Sequence, residues 1–290
     1  MTPEPITELP RLPPRPRDGH KGTFGHVLVV AGSRGMSGAA ALCGTAALHG
    51  GAGTAQVAVP TEIQSIVSSI QPCVTTAGLP AGESGQFAAH ALSDLLPLAE
   101  RADALAIGPG LGGGAAISWL VRGLLAKTSL PVVLDADGLN ALAPITADEK
   151  IRRGKPTIVT PHPGEFARLL QTSTVDILRE REAHAVNFAR NQGLVLVLKG
   201  ANSLVTDGRR LYVNRTGNPG MATGGSGDVL TGLIAALLAQ RLDPFAAAQL
   251  GVYLHGLAGD LAREALGEEG MIATDLLAWL PRAFMKFRSN

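Results

Sequence analysis

Residues 104–142 read ALAIGPGLGGGAAISWLVRGLLAKTSLPVVLDADGLNAL and carry the pattern that decides the fold. A short apolar run, Ala104–Ile107, ends in a glycine-rich turn, and an apolar helical pattern follows over Ala115–Leu125. A second apolar run, Pro131–Leu134, then ends in acidic residues. This succession predicts two parallel strands joined by a helix that covers the sheet.

The same succession recurs along the rest of the chain. Further strands are predicted at His26–Ala31, Thr54–Val59, Thr157–Val159 and Leu194–Leu198, with a hairpin of Ser203–Thr206 and Leu211–Val213. Helices are predicted at Gly38–Leu48, Asp176–Asn191, Asp228–Gln240, Pro244–Leu266 and Thr274–Phe287. The pattern indicates an α/β fold with a mostly parallel central sheet and helices on both faces, in three layers.

The composition of the 290 residues favours one large domain. Hydrophobic residues make up 46% and charged residues 17%, which provides enough apolar side chains for a large core. Six prolines among residues 1–20 predict an extended N-terminal arm outside the core. A single domain is therefore predicted over residues 21–290.

Charge and cysteine content bear on partners and location. A net charge of +1 without a block of like charges argues against nucleic-acid binding. Cys43 and Cys73 lack metal-like spacing and favour a reduced, cytoplasmic setting. The N-terminal residues lack the apolar run of a signal peptide, and Leu230–Ala239 is too short to cross a membrane.

Residues 223–232, TGGSGDVLTG, form the strongest candidate for a ligand site. The glycines can direct several backbone N–H groups at one anion, and a helix beginning near Asp228 adds its positive end. Asp228 is then either a base beside a transferring phosphate or only the N-cap of the helix. Capping alone does not explain the glycines at 224, 225 and 227.

Two further turns after predicted strands carry candidate residues. Residues 32–40, GSRGMSGAA, show neither the dinucleotide-binding nor the Walker glycine spacing, and a tight turn explains them equally well. In residues 160–166, TPHPGEF, His162 can hydrogen-bond a substrate and Glu165 can hold Mg²⁺ through water. The alternative is a rigid loop whose polar residues meet solvent.

Polar residues at two more strand ends could also either bind a ligand or have only a structural role. Asp135, Asp137 and Asn140 either contact a ligand or satisfy a turn. Lys199, in the loop KGANS (Lys199–Ser203), suits a phosphate charge, but a lysine there is more often only solvated. The histidines show no metal-ligand spacing, so no zinc site is predicted.

Taken in order, these motifs resemble those of the ADP/ATP-dependent NAD(P)H-hydrate dehydratases, members of the ribokinase-like superfamily. The most specific feature is HPGE at 162–165 followed by GGSGDVL at 224–230. Some relatives carry an additional N-terminal epimerase domain. No epimerase activity is expected from this chain. It is expected to work together with a separate epimerase.

The resemblance implies dehydration of the S epimer of NADHX or NADPHX, the hydrates of NADH and NADPH. ADP or ATP, with Mg²⁺, would phosphorylate the ring hydroxyl, and loss of phosphate would restore the reduced nucleotide. A homotetramer is also implied.

The resemblance further assigns roles to matched positions. Asp228 is implied as the base, with Gly225, Ser226 and Gly227 around the transferring phosphate. ADP or AMP contacts are implied for Lys199, Gly200, Ala201, Asn202, Ser203 and Gly227. Hydrate contacts are implied for Ala39 or Ala40, Gly110 or Gly112, His162 and Asp228. Glu165 is implied as an indirect Mg²⁺ partner.

Other readings of the same loop remain open. A vitamin-precursor kinase of the same superfamily would share Asp228 but retain a phosphorylated product. A non-catalytic nucleotide sensor would use Asp228 only as a cap. A nicotinamide dehydrogenase is disfavoured because the dinucleotide fingerprint is missing.

Overall fold

The fold is seen in a computed structural model that describes residues 2–145, 149–151 and 154–289. The strands in these residues are β1 (Glu4–Ile6), β2 (His26–Val30), β3 (Thr54–Pro60), β4 (Thr75–Leu79), β5 (Ala104–Ile107), β6 (Val132–Leu134), β7 (Thr157–Val159), β8 (Val195–Leu198), β9 (Leu204–Thr206) and β10 (Arg210–Val213). The α-helices are α1 (Ser37–His49), α2 (Thr61–Ile70), α3 (Leu92–Ala99), α4 (Ala115–Lys127), α5 (Ala136–Asn140), α6 (Pro163–Leu170), α7 (Thr174–Arg179), α8 (Arg181–Gln192), α9 (Ser226–Ala239), α10 (Pro244–Leu266) and α11 (Ala273–Ser289). None of the helices in the described ranges has the length and apolar character needed to cross a membrane.

The ten strands of the described residues form one sheet in the order β1-β10-β9-β8-β7-β6-β5-β2-β3-β4. Neighbouring strands run parallel except β9, which is antiparallel to both β8 and β10. The predicted mostly parallel sheet is thus confirmed, and so is the predicted hairpin. Asp207 Oδ1 accepts hydrogen bonds from the backbone N–H groups of Arg209 and Arg210, which closes the hairpin turn.

Both faces of the sheet are buried, which explains why its central strands are continuously apolar. In β2, Val27 and Val29 belong to a core shared with α1, α9, α10 and α11. Leu28 and Val30 belong to the core on the opposite face, shared with α3, α4, α6 and α8. Because successive strand residues alternate between faces, a sheet covered on both sides needs apolar residues at every position.

The N-terminal arm departs from its prediction. β1 pairs in parallel with β10 at the edge of the sheet, so residues 4–6 belong to the sheet, although Glu4 and Pro5 are exposed. Ile6, Leu9 and Leu12 pack on the core beside α10, and Gln249 Nε2 donates to the carbonyl of Glu8 at 2.7 Å. The prolines leave the arm extended, and an extended chain can add a strand to an edge.

Two predicted helices also have different limits, while the other predicted elements show only small end shifts. The run Asp176–Asn191 is divided at Glu180, whose φ of −130° interrupts helical geometry between α7 and α8. α9 begins at Ser226 because Gly225, with φ of 93°, is its N-cap. This left-handed φ favours glycine. The N-cap interpretation of Asp228 is therefore wrong, since Asp228 lies inside the first turn.

We expect Gly232→Ala to destabilise the fold, because α9 and α1 touch at this glycine. A Cβ atom there would lie 2.0 Å from the carbonyl oxygen of Cys43 and 2.9 Å from Cβ of Ala46. Forcing these helices apart should lower the free energy of unfolding by about 1–3 kcal/mol, measured by urea denaturation. Gly82→Ala is the control, because a Cβ there has no neighbour within 4 Å. Equal stability of the two variants would contradict the prediction.

Candidate active site

The turns after five parallel strands, β2, β5, β6, β7 and β8, meet at one edge of the sheet. Backbone hydrogen bonds link adjacent turns: Gly32 N donates to Pro109 O at 2.8 Å, and Lys199 N donates to Pro161 O at 2.9 Å. The carboxyl ends of parallel strands form the usual ligand crevice of an α/β sheet. The predicted candidates from all five turns therefore belong to one region.

The first turn of α9 presents free backbone donors to this crevice. Among the described residues, none provides an acceptor for the backbone N–H groups of Gly227 and Asp228. The Ser226 hydroxyl donates to Met221 O at 2.7 Å and so holds the preceding loop. Free N–H groups at a positive helix end suit a phosphate. The predicted anion site is supported for the backbone here, whereas the Ser226 side chain is already engaged.

Lys199 is the centre of a buried charge cluster and is not a solvated lysine. Its Nζ donates to Asp135 Oδ1 at 2.6 Å and lies 3.7 Å from Glu165 Oε2. Asp135, only 1% exposed, also accepts from Thr231 Oγ1 at 2.8 Å. Burial alone would lower the pKa of Lys199, but the carboxylates of Asp135 and Glu165 outweigh it and raise that pKa. Lys199 therefore provides a fixed positive charge.

Asp228 lies beside this cluster without a protein partner. Within the described part of the chain it makes no side-chain hydrogen bond or ion pair. Burial and the negative charge of Asp135 raise the pKa of Asp228 to about 7, and Lys199 only partly opposes this rise. A carboxylate that titrates near neutral pH is well suited to act as a general base.

His162 and Glu165 form a reciprocal cap at the start of α6. His162 Nδ1 accepts from the backbone N–H groups of Gly164 and Glu165, at 3.1 and 3.3 Å. Glu165 Oε2 accepts from the backbone N–H of His162 at 2.8 Å. This arrangement leaves Nε2 of the half-exposed His162 ring to carry a proton, 3.4 Å from Glu165 Oε1. The cap holds the imidazole at the edge of the crevice.

Ala39 and Ala40, the two alternatives predicted for a substrate contact, differ in exposure. Ala40 is fully buried, whereas Ala39 keeps 7% exposure. A Cβ atom at Gly110 would lie 3.1 Å from Cβ of Ala39, so these two positions adjoin. Gly112 is partly exposed, and its N–H donates to Asp137 Oδ2 at 2.9 Å. Ala39 can touch a ligand, and Ala40 cannot without rearrangement.

A cavity of about 550 Å³ opens beside the start of α9. Its wall includes Lys199, Gly200, Ala201, Asn202, Ser203, Ser226 and Gly227. The rest of the wall comes mainly from residues 214–219 and from α9 and α10. Its size is that of a small-molecule site, and it contains the whole of the predicted nucleotide loop.

Three residues that shape the site carry no recognisable sequence signal. Besides Thr231, His255 on α10 places Nε2 3.0 Å from Ser226 O, and burial lowers its pKa to about 4, so it donates as a neutral imidazole. Arg181 Nη1 donates to Ala201 O at 3.0 Å and braces the loop of Lys199–Ser203. These contacts join distant segments, which local patterns do not reveal.

Comparison with known proteins agrees with this architecture. Residues 27–282 match the family model described as NAD(P)H-hydrate dehydratase. The chain is 48% identical over 275 residues to the bifunctional NAD(P)H-hydrate repair enzyme Nnr of Moorella thermoacetica, covering 93% of this chain and 51% of that protein. It is 41% identical to the ADP-dependent (S)-NAD(P)H-hydrate dehydratase of Neisseria meningitidis, covering 91% of this chain and 84% of that protein. The chain spans about half the length of the bifunctional relatives.

Solved structures give the same result. The ADP/ATP-dependent NAD(P)H-hydrate dehydratase of Bacillus subtilis, co-crystallised with ATP/Mg²⁺, is 33% identical with a TM-score of 0.81, over 95% of this chain and 94% of that one. A ribokinase-like superfamily protein of Enterococcus faecalis is 27% identical with a TM-score of 0.80, over 94% and 91% of the two chains. The fold is thus ribokinase-like, as predicted, and with its motifs in matching order the chain belongs to the NAD(P)H-hydrate dehydratase family.

Proposed function

We propose that this chain catalyses the ADP- or ATP-dependent dehydration of the S epimer of NADHX or NADPHX, as a carbon–oxygen lyase. The observation that carries the proposal is Asp228, a carboxylate without a protein partner, its pKa raised to about 7, at the helix end with free N–H donors. Phosphoryl transfer needs a positioned hydroxyl, a proton acceptor and stabilisation of charge on the moving phosphate. The activities named for the relatives support the choice of substrate.

In the proposed reaction, Asp228 takes the proton of the ring hydroxyl while the hydroxyl oxygen bonds to the terminal phosphorus of the nucleotide. The bond from that phosphorus to its bridging oxygen breaks, so the departing nucleotide is AMP when ADP is used and ADP when ATP is used. Within Gly225–Gly227, the free N–H of Gly227 stabilises the transferring group, together with the N–H of Asp228 and the ammonium of Lys199. Phosphate then leaves with the electron pair of its bond to carbon. The neighbouring carbon loses a proton to solvent, and the electron pair of that C–H bond forms the ring double bond.

The two ligands are proposed to meet at Asp228 from opposite sides. The cavity lined by Lys199–Ser203 and Gly227 would take the nucleotide, since it contains the complete loop. Gly110, Gly112 and His162 would contact the hydrate, because they lie on the turns after β5 and β7, and so would Ala39 in the first turn of α1, the helix that follows β2.

Mg²⁺ is proposed to arrive with the nucleotide phosphates. No group of three or more His, Cys, Asp or Glu side chains within the described ranges is arranged to hold a metal ion alone. This fits an ion that prefers phosphate oxygens and water, with few carboxylates. Glu165 remains the proposed indirect partner through Oε1, because Oε2 serves the helix cap. When bound, Mg²⁺ would neutralise phosphate charge.

The direct test offers the S epimer of NADHX with ADP and Mg²⁺. Return of NADH absorbance and release of one phosphate per NADH are expected. The R epimer is the matched control for the initial rate. A stable phosphorylated hydrate would instead favour a small-molecule kinase, and nucleotide binding without turnover would favour a sensor.

The reaction rate is expected to rise with pH through about 7, the pKa of Asp228. Only the deprotonated carboxylate accepts the hydroxyl proton, so kcat/KM should fall about tenfold per pH unit well below that value. Initial rates across the range give the acidic limb directly. A limb near the ordinary aspartate pKa of about 4 would contradict the assignment of Asp228 as base.

Assembly and setting are also proposals. We infer a cytoplasmic homotetramer that works beside an epimerase. The free thiols of Cys43 and Cys73 support a reducing setting. Trp119 and Met285, 64% and 70% exposed, would become buried in contacts between subunits. Light scattering checks the assembly, because a tetramer has four times the mass of the 29.8 kDa chain.

A further inference from the structure

We propose that Asp135 is a positioning residue: it holds Lys199 away from Asp228 and ties the first two turns of α9 to the sheet. The inference rests on the proposed function, because the position of Asp228 affects turnover only if Asp228 is the base. Asp135 follows β6 and is almost completely buried. A buried carboxylate is costly unless it is paired, so its partners explain its presence.

The carboxylate of Asp135 joins three parts of the fold. Oδ1 accepts from Lys199 Nζ at 2.6 Å, after β8, and Oδ2 accepts from Thr231 Oγ1 at 2.8 Å, on α9. A Cβ atom at Gly227 would lie 3.4 Å from Asp135 Oδ2 and 3.2 Å from Lys199 Nζ. Both charged groups therefore lie against Gly227, the residue before Asp228, and Asp135 also binds Thr231, three residues after Asp228.

The pairing with Asp135 determines with which carboxylates Lys199 forms ion pairs. Lys199 is paired with Asp135 and Glu165 and, among the described residues, makes no ion pair with Asp228. Without the charge of Asp135, the flexible Lys199 side chain would turn to Asp228 and neutralise the proton acceptor. The geometry thus keeps the positive charge close to the transferring phosphate and off the base.

The other carboxylates around Asp228, those of Asp137 and Glu165, raise its pKa as Asp135 does, and Lys199 opposes them. The ionisable groups that face Asp228 are Asp135 and Asp137 after β6, Glu165 on α6, Lys199 after β8 and Cys43 on α1, with His255 on α10 near Lys199. Burial raises the pKa of Cys43 and lowers that of His255, so both stay neutral. Among these charges, Asp135 has the largest effect on the pKa of Asp228, which it raises.

Two variants separate the charge of Asp135 from its hydrogen bond. Asp135→Asn keeps the shape and the acceptor for Lys199 but removes the charge. Thr231→Val removes the tether to α9 and keeps the charge. For each, kcat and KM for ADP are measured against pH, and the titration of the Asp228 carboxyl is followed by ¹³C NMR, assigned by its loss in Asp228→Asn.

Asp135→Asn is expected to move the Asp228 titration and the acidic limb of kcat about one pH unit lower. It should also lower kcat at least about tenfold, with a smaller change in KM. Thr231→Val should lower kcat several-fold and leave the limb in place. An unmoved Asp228 titration in Asp135→Asn would overturn the proposal, and so would full kcat in Thr231→Val, even if Asp135→Asn failed to fold.

The NMR titration also separates this inference from the proposed function. Wild-type enzyme that returned no NADH from the hydrate would refute the function. The Asp228 titration would still move in Asp135→Asn if Asp135 controls its surroundings.

Discussion

Asp228→Asn is expected to lower kcat by about 10²–10⁴-fold, because the amide cannot accept the proton of the ring hydroxyl. Affinity for ADP should change little, since the free N–H groups of α9 and the loop Lys199–Ser203 are intact. Single-turnover assays with the S epimer measure the rate, and equilibrium binding of ADP measures the affinity. Asp94→Asn is the matched control, an exposed carboxylate in the first turn of α3, and should keep full activity.

The stability of Asp228→Asn tests the same assignment from another side. The folded-state pKa of Asp228 is raised to about 7, so its ionisation above the ordinary aspartate pKa of about 4 opposes folding. Asp228→Asn should therefore be at least as stable as the wild type above pH 7. A capping residue would behave in the opposite way, since its loss destabilises the helix. A variant with near wild-type kcat would remove Asp228 from the proposed mechanism.

Lys199→Met is expected to lower the free energy of unfolding by about 3 kcal/mol, because it leaves the buried carboxylate of Asp135 without its cation. Oδ1 of Asp135 would lose its 2.6 Å donor, and Glu165 would lose a nearby positive charge. Urea denaturation at neutral pH measures the change. Turnover should also fall sharply, since Lys199 supplies charge to the transferring phosphate.

Two controls identify the unpaired carboxylate as the cause. The double variant Asp135→Asn/Lys199→Met should recover at least half of the lost stability, because the buried carboxylate of Asp135 is then removed together with its cation. Lys286→Met changes an exposed lysine at the end of α11 and should leave stability within about 0.5 kcal/mol of the wild type. A double variant no more stable than Lys199→Met would show that the ion pair is not responsible.

Local sequence was sufficient to predict a strand or helix whose own residues show the expected apolar pattern. The central strands are mostly apolar because both faces of a parallel sheet are covered, and short apolar runs ended by glycine or a polar residue mark them plainly. β4 was missed because its sequence, TTAGL, lies at an edge of the sheet and lacks that apolar run. β1 was missed because nothing in a proline-rich arm indicates which edge it joins.

The positions of the site residues followed from their place after strands, whereas their partnerships did not. His162 and Glu165 cap one helix, a contact between near neighbours that the spacing HPGE already suggests. By contrast, Asp135 lies 64 residues before Lys199 and 96 residues before Thr231 in the chain. No local pattern encodes such pairs.

The sequence by itself determined that this chain builds a parallel α/β sheet with a glycine loop and Asp228 at a helix start, because those features depend on neighbouring residues. Only the tertiary structure decided what Asp228 can do. Gly225 is the N-cap of α9, and Lys199 forms an ion pair with Asp135. Burial beside the carboxylate of Asp135 raises the pKa of Asp228 to about 7. These outcomes depend on distances between segments far apart in the chain, which folding alone brings together.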